Sequence, residues 1–122
     1  SGTQYMATFT RNGTQAGYIV TNAGNTTTYV TSSDYRLKQN VDYTWDATTR
    51  LKQLKPARFE FIVDAGTVVD GFLAHEVSSI VPEAIVGEKD GEQMQGIDQS
   101  KLVPLLVKTI QELEARITAL EA

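Results

Sequence analysis

Cysteine is absent from the 122 residues, which excludes disulfides, thiolate zinc sites and cysteine nucleophiles. There is a single histidine, and the carboxylates are scattered without metal-ligand spacing, so no metal and no other cofactor is expected. Excess positive charge is also missing. The net charge is −4 and no Lys/Arg cluster stands out, so no nucleic-acid partner is expected. The apolar runs are too short to span a bilayer and nothing at the start reads as a signal peptide, so no membrane partner is expected either. No aromatic-rich patch suited to sugar stacking is visible. What remains is ordinary: 41% hydrophobic residues, in a length that suits one domain plus an appendage. Ser1-Gly2 reads as a cloning remnant and the chain as a fragment of something longer.

The chain divides into three segments. Residues 1–32 are rich in Thr, Asn and Gly, with Arg11 as the only charged residue. Tyr5, Ala7 and Phe9 alternate with polar residues as in a strand. Asn12-Gly13 is a turn signal, because both residues tolerate positive φ. Gly17 to Val20 gives a second strand, Ala23-Gly24-Asn25 turns again, and Thr26 to Thr31 gives a third. So few large apolar residues make a poor independent core. The segment is expected to be the end of an elongated β-rich stalk completed by other chains, rather than a free β-meander. Residues 33–100 read as a compact α+β domain. Asp46–Leu54 is expected to be a short helix capped by Asp46 and ended by Lys55-Pro56. Arg58–Val63 and Val68–Ala74 are expected to form a hairpin, and His75–Val81 a short helix stopped by Pro82. Gln93–Ile97 is expected to be one more strand, followed by a cap at Asp98 or Ser100. Trp45, Phe59, Phe61 and Phe72 are assigned to the core.

Residues 101–122 carry heptads. Val103, Ile110 and Ile117 fill one seam position; Leu106, Leu113 and Leu120 fill the other. Pro104 falls in the first turn, where a missing N–H is tolerated. Arg116 can meet Glu121 of a neighbouring helix. A coiled coil is expected over a lone amphipathic helix packed on its own domain, because the seam runs to the last residues. The seam alone does not fix the number of strands.

Between the first two segments stands Ser33-Asp34-Tyr35-Arg36-Leu37-Lys38. A serine hydroxyl is a weak nucleophile until a base takes its proton, and a neutral lysine can be that base. Five-residue spacing does not put both side chains on one helical face, so they have to meet through a turn or across a chain interface.

Three motifs in order resemble a known family. They are Ser32-Ser33-Asp34-Tyr35-Arg36-Leu37-Lys38-Gln39-Asn40-Val41; Gly71-Phe72-Leu73-Ala74-His75-Glu76-Val77 with Val81-Pro82-Glu83-Ala84-Ile85; and Leu102-Val103-Pro104-Leu105-Leu106-Val107-Lys108 running into Ile110-Gln111-Glu112-Leu113. Over residues 32–122 the chain is similar to the C-terminal intramolecular chaperone domain of phage tail spikes and tail fibres, the peptidase S74 family. The resemblance implies a homotrimer whose partner is its own upstream fibre segment, assembled as a fibre precursor in the host cytoplasm and released on maturation. It implies Ser33 as nucleophile and Lys38 as general base of a single-turnover self-cleaving peptidase. The Ser32–Ser33 bond is favoured for scission over Ser33–Asp34. Asp34 and Arg36 are expected to pair or to cap a turn, Asn40 to hold a turn, and His75 to supply a hydrogen bond or be a satisfied, partly buried polar residue. Glu76 is expected to orient His75 or a backbone amide, and Gly71 to allow close backbone approach. A trimerisation cap without proteolysis and a receptor-binding fibre tip are the alternatives.

Overall fold

The computed structural model describes residues 2–122, which pack as two compact units, one up to residue 43 and one over residues 44–122. The Ser33–Asn40 segment therefore packs with the β-rich residues before it.

The first unit is an antiparallel sheet of β1 (Gln4–Arg11), β2 (Thr14–Thr21) and β3 (Thr27–Thr31) in the order β1-β2-β3. Asn12 and Gly13 both take positive φ, 50° and 79°, as a two-residue hairpin turn that follows the strand twist requires. Asn25 does the same in the second turn, at φ 58°. Gly17 faces Thr31 across the β2–β3 ladder. A Cβ there would lie 2.5 Å from the Val30 carbonyl oxygen, so only glycine fits the strand spacing. Val20 is the only large apolar side chain of the sheet that is buried; Tyr5, Met6, Phe9 and Tyr29 are 57%, 59%, 54% and 78% exposed. Tyr5 and Tyr18 meet edge to face with centroids 5.1 Å apart.

The second unit is α+β. It contains α1 (Thr48–Leu51), a β4 (Ala57–Glu60)–β5 (Val68–Gly71) hairpin, α2 (Ala74–Ser78), a β6 (Ile85–Val86)–β7 (Gly96–Ile97) pair, and α3 (Val103–Glu121). Its core is Ala47, Val77, Val81, Ala84, Leu102 and Leu105, with Trp45, Leu51, Leu54, Phe72, Ile80, Ile85 and Ile97 packed around it.

Several elements are shorter than their sequence patterns. The expected 46–54 helix keeps one turn, Thr48–Leu51, with Asp46 accepting from Thr49 N and Oγ1 at 3.2 and 2.6 Å beside its start. The Arg58–Val63 strand stops at Glu60, and Ile62–Asp64 curls into a 3-10 turn. Phe61 is thereby carried off the core and is 60% exposed, touching Phe59 edge to face at 5.3 Å. The neighbour that Gly71 accommodates is a side chain, not backbone: a Cβ would meet the Phe59 ring at 3.1 Å. Asp98 caps as expected, accepting from Ser100 N at 3.1 Å.

Helix α3 has two distinct faces. Leu102, Leu105 and Thr109 are buried against their own unit, with Glu112 half-buried on the same stripe. The Glu112 carboxylate accepts from Ala47 N (3.0 Å), Thr48 N (2.8 Å) and Thr48 Oγ1 (2.6 Å), so it serves as the N-terminal cap of α1. These bonds pull its pKa down to about 2. Lys108 lies 3.8 Å from Glu112 and over the Trp45 ring. The heptad residues point elsewhere. Val103, Leu106, Ile110, Leu113, Ile117 and Leu120 are 52%, 46%, 64%, 41%, 57% and 86% exposed.

Candidate functional site

The chain leaves β3 at Thr31 and makes two further contacts with β2. Ser32 N donates to the Ala16 carbonyl at 2.9 Å, and Ser32 Oγ donates to the Gln15 carbonyl at 2.8 Å. It then turns sharply. Asp34 accepts from Arg36 N at 2.9 Å and starts a 3-10 turn, Tyr35–Leu37, closed by Leu37 N to Asp34 O and Lys38 N to Tyr35 O, both 3.1 Å. The same carboxylate receives Arg36 Nε at 2.9 Å and NH2 at 3.1 Å in a two-pronged ion pair. Asp34 therefore both caps the turn and pairs with Arg36. The Arg36 side-chain bonds, then its backbone bond, hold the Asp34 carboxyl below the usual carboxylate range. Asn40 sits at φ 54°, a left-handed position that asparagine tolerates better than most residues.

One turn of 3-10 helix folds residue 38 back over residue 33. Lys38 Nζ donates to Ser33 Oγ at 2.6 Å within a single chain. The two residues that the sequence separates by five positions are thus in direct contact through a turn, and both are exposed. Leu37, beside the lysine, lines one shallow depression with Thr14, Gln15, Ala16 and Ser32.

His75 and Glu76 belong to the second unit, on α2. His75 is exposed, not partly buried, and lines a depression with residues 88–91 and 93–95. Glu76 lies 3.8 Å from Lys55 Nζ, an ion pair in place of the expected contact with His75 or a backbone amide. Two contributions were not visible in the sequence. The Ser32 hydroxyl bond to Gln15 depends on strand register, and the Glu112 cap joins residues more than sixty positions apart. Among the described residues no cluster of His, Cys, Asp or Glu could hold a metal ion, and no helix is long and apolar enough to cross a membrane.

Residues 33–86 match the family model described as chaperone of endosialidase, peptidase S74. The match begins at the serine that Lys38 contacts, spans the Gly71–Val77 and Val81–Ile85 motifs, and ends before α3, so the third motif lies outside it. No curated protein and no solved structure matches the chain. The match over residues 33–86 supports an intramolecular chaperone domain of the endosialidase-chaperone, peptidase S74 kind in that part of the chain.

Proposed function

We propose that the chain is an intramolecular chaperone that trimerises a phage tail fibre or spike, sets the register of its strands, and then frees itself by cutting its own backbone next to Ser33. The observation that carries this reading is the 2.6 Å contact between Ser33 Oγ and Lys38 Nζ at the first residues of the matched segment. A neutral Lys38 takes the hydroxyl proton along this line, and Ser33 Oγ attacks the carbonyl carbon of Ser32. The Ser32–Ser33 amide breaks as the proton passes to the Ser33 nitrogen, leaving an ester between the Ser32 acyl group and Ser33 Oγ. Water then hydrolyses the ester to a Ser32 carboxylate and a chaperone that begins with a free Ser33 amine. Asp34 and Arg36 hold the turn that delivers Lys38, and are positioning residues.

Assembly supplies the trigger in this reading. Ser33 and Lys38 are exposed in the single chain, and an exposed ammonium is a poor base at neutral pH. Packing of neighbouring chains around the turn would desolvate the amine and favour its neutral form. The exposed α3 seam supports the oligomer, since six apolar side chains on one stripe are 41% to 86% exposed. A C-terminal seam raises the local concentration of the three upstream segments. It thereby favours correct pairing of Thr/Asn/Gly-rich strands that are prone to slip. The fibre precursor would assemble in the host cytoplasm, and the chaperone part would leave on maturation.

Intact-protein mass spectrometry of the wild type beside Ser33→Ala and Lys38→Ala tests the chemistry. A wild-type break at Ser32–Ser33, missing from both variants, is expected. An unbroken wild-type trimer would leave a trimerisation cap without proteolysis. Equally fast cleavage in an unassembled monomer would remove the assembly trigger.

A further inference from the structure

Ser32 carries the carbonyl that the proposed reaction attacks, yet its own contacts run backward into the upstream sheet. The β2–β3 ladder ends at the Gly17–Thr31 pair. Ser32 adds two hydrogen bonds beyond that rung, from its N–H to the Ala16 carbonyl (2.9 Å) and from its hydroxyl to the Gln15 carbonyl (2.8 Å). A backbone N–H bond alone leaves the side chain free to turn. The second bond, to the neighbouring carbonyl, ties the residue at two points on the same strand. Leu37, in the turn that carries the base, lines a depression with Thr14, Gln15, Ala16 and Ser32. The scissile residue thus rests on residues 15 and 16 of β2.

Attack on a neighbouring carbonyl is sensitive to orientation. The hydroxyl has to approach the carbonyl carbon at about 3 Å along the right line, and small misplacements cost large factors in rate. We infer that Ser32 is a positioning residue: its hydroxyl bond to the Gln15 carbonyl presents the scissile carbonyl to Ser33 only when β3 is paired with β2 in the correct register. This rests on the reading of Ser33 as nucleophile. The upstream sheet is then part of the peptidase and not merely its substrate. A slip of β3 along β2 moves Ser32 away from Gln15 and Ala16, and the cut waits. Once the bond is broken, the released chaperone has lost residues 14–16 with the fibre, which accounts for a single turnover without any further inhibitor.

The test follows cleavage of the full chain by intact mass over time and across pH, for wild type, Ser32→Ala, Ser32→Thr and Ser33→Ala. Ser32→Ala is expected to cut about tenfold more slowly, the equivalent of one neutral hydrogen bond. Its pH–rate curve should keep its shape, because the substitution leaves the Ser33–Lys38 contact untouched, and its oligomer mass and melting temperature should be unchanged. Ser32→Thr, which keeps the hydroxyl, should return to within about threefold of wild type. Wild-type rates in Ser32→Ala, a Ser32→Thr variant as slow as Ser32→Ala, or a displaced pH–rate curve would each overturn the inference. Ser33→Ala separates the two levels. If it still cuts, the nucleophile assignment fails; if it is silent while Ser32→Ala cuts normally, only the positioning role fails.

Discussion

Replacing Ile110 by aspartate separates the two faces of α3. Ile110 is 64% exposed within its own chain, whereas Leu105, five positions earlier, is 2% exposed. Fully burying an isoleucine side chain contributes roughly 1.5–3 kcal/mol, so covering the exposed two-thirds of Ile110 in a seam contributes roughly 1–2 kcal/mol per chain. A three-fold assembly counts that loss three times, roughly 3–6 kcal/mol, or about 10²- to 10⁴-fold in the trimerisation constant. Within the single chain the same change touches solvent, and its effect on folding should stay within about 0.5 kcal/mol. Leu105→Ala reverses the pattern: it opens a cavity in the unit's own core and costs about 2–5 kcal/mol of folding stability. Sedimentation velocity over a concentration series reads the assembly. Urea unfolding of dilute, dissociated protein reads the fold. An Ile110→Asp chain that assembles like wild type, or that unfolds as easily as Leu105→Ala, would refute the division of α3 into an inward face and an outward seam.

Three further outcomes are expected. Glu112 has its folded pKa lowered from 4.5 to about 2 by bonds from Thr48 and Ala47, so its contribution is complete above pH 4.5 and is lost as pH falls toward 2; Glu112→Gln should flatten that part of a stability-against-pH curve measured by circular dichroism. Thr109 Oγ1 is buried and finds no hydrogen-bond partner among the described residues, so the near-isosteric Thr109→Val should raise stability by about 1 kcal/mol in urea titration. Gly17→Ala drives a methyl against the Val30 carbonyl and should loosen β3, seen as faster amide exchange at Val30 and Thr31 and as slower self-cleavage.

The sequence was most legible where a local cause determines structure. Asn12-Gly13 made the first hairpin readable because its turn needs positive φ at both residues. Asp98 was readable as a cap for the same local reason. The heptads gave the outward stripe of α3, since periodicity does not depend on what lies nearby. Its inward stripe, Leu102, Leu105, Thr109 and Glu112, was not legible, because a threonine and a glutamate break the apolar pattern there. Their partners, Ala47 and Thr48, lie more than sixty residues away. Phe61 was assigned to the core because it continues an alternating run. The strand ends at Glu60 and a 3-10 turn follows at Ile62–Asp64, so the ring stays outside. Ser33 and Lys38 could be named from the motif, but the turn that joins them depends on the Asp34 cap, and spacing alone gave no distance.

The exposed surface argues independently that this chain is built for company. A compact monomer of 13.4 kDa exposes roughly 6,500 Å², and two separate compact units of the same total mass would together expose roughly 7,800 Å². The chain exposes 10046 Å². Even without any assumption about how the two units are arranged, the excess is on the order of 2,000 Å², comparable to a stable protein–protein interface. The excess is apolar in particular places: the faces of the β1–β2–β3 sheet at Tyr5, Met6, Phe9 and Tyr29; the hairpin tip at Ile62 and Val63, each 97% exposed; and the α3 seam. A receptor-binding tip would need one such patch, facing outward. Patches on the sheet, the hairpin and the helix, in both units, are the surface that the proposed self-assembly would cover. Burying them all at once would tie closure of the helical seam to correct pairing of the strands upstream. Under that coupling a slipped sheet would leave apolar surface uncovered and the proposed assembly weaker, so in the proposed scheme register would be tested before any cut at Ser33.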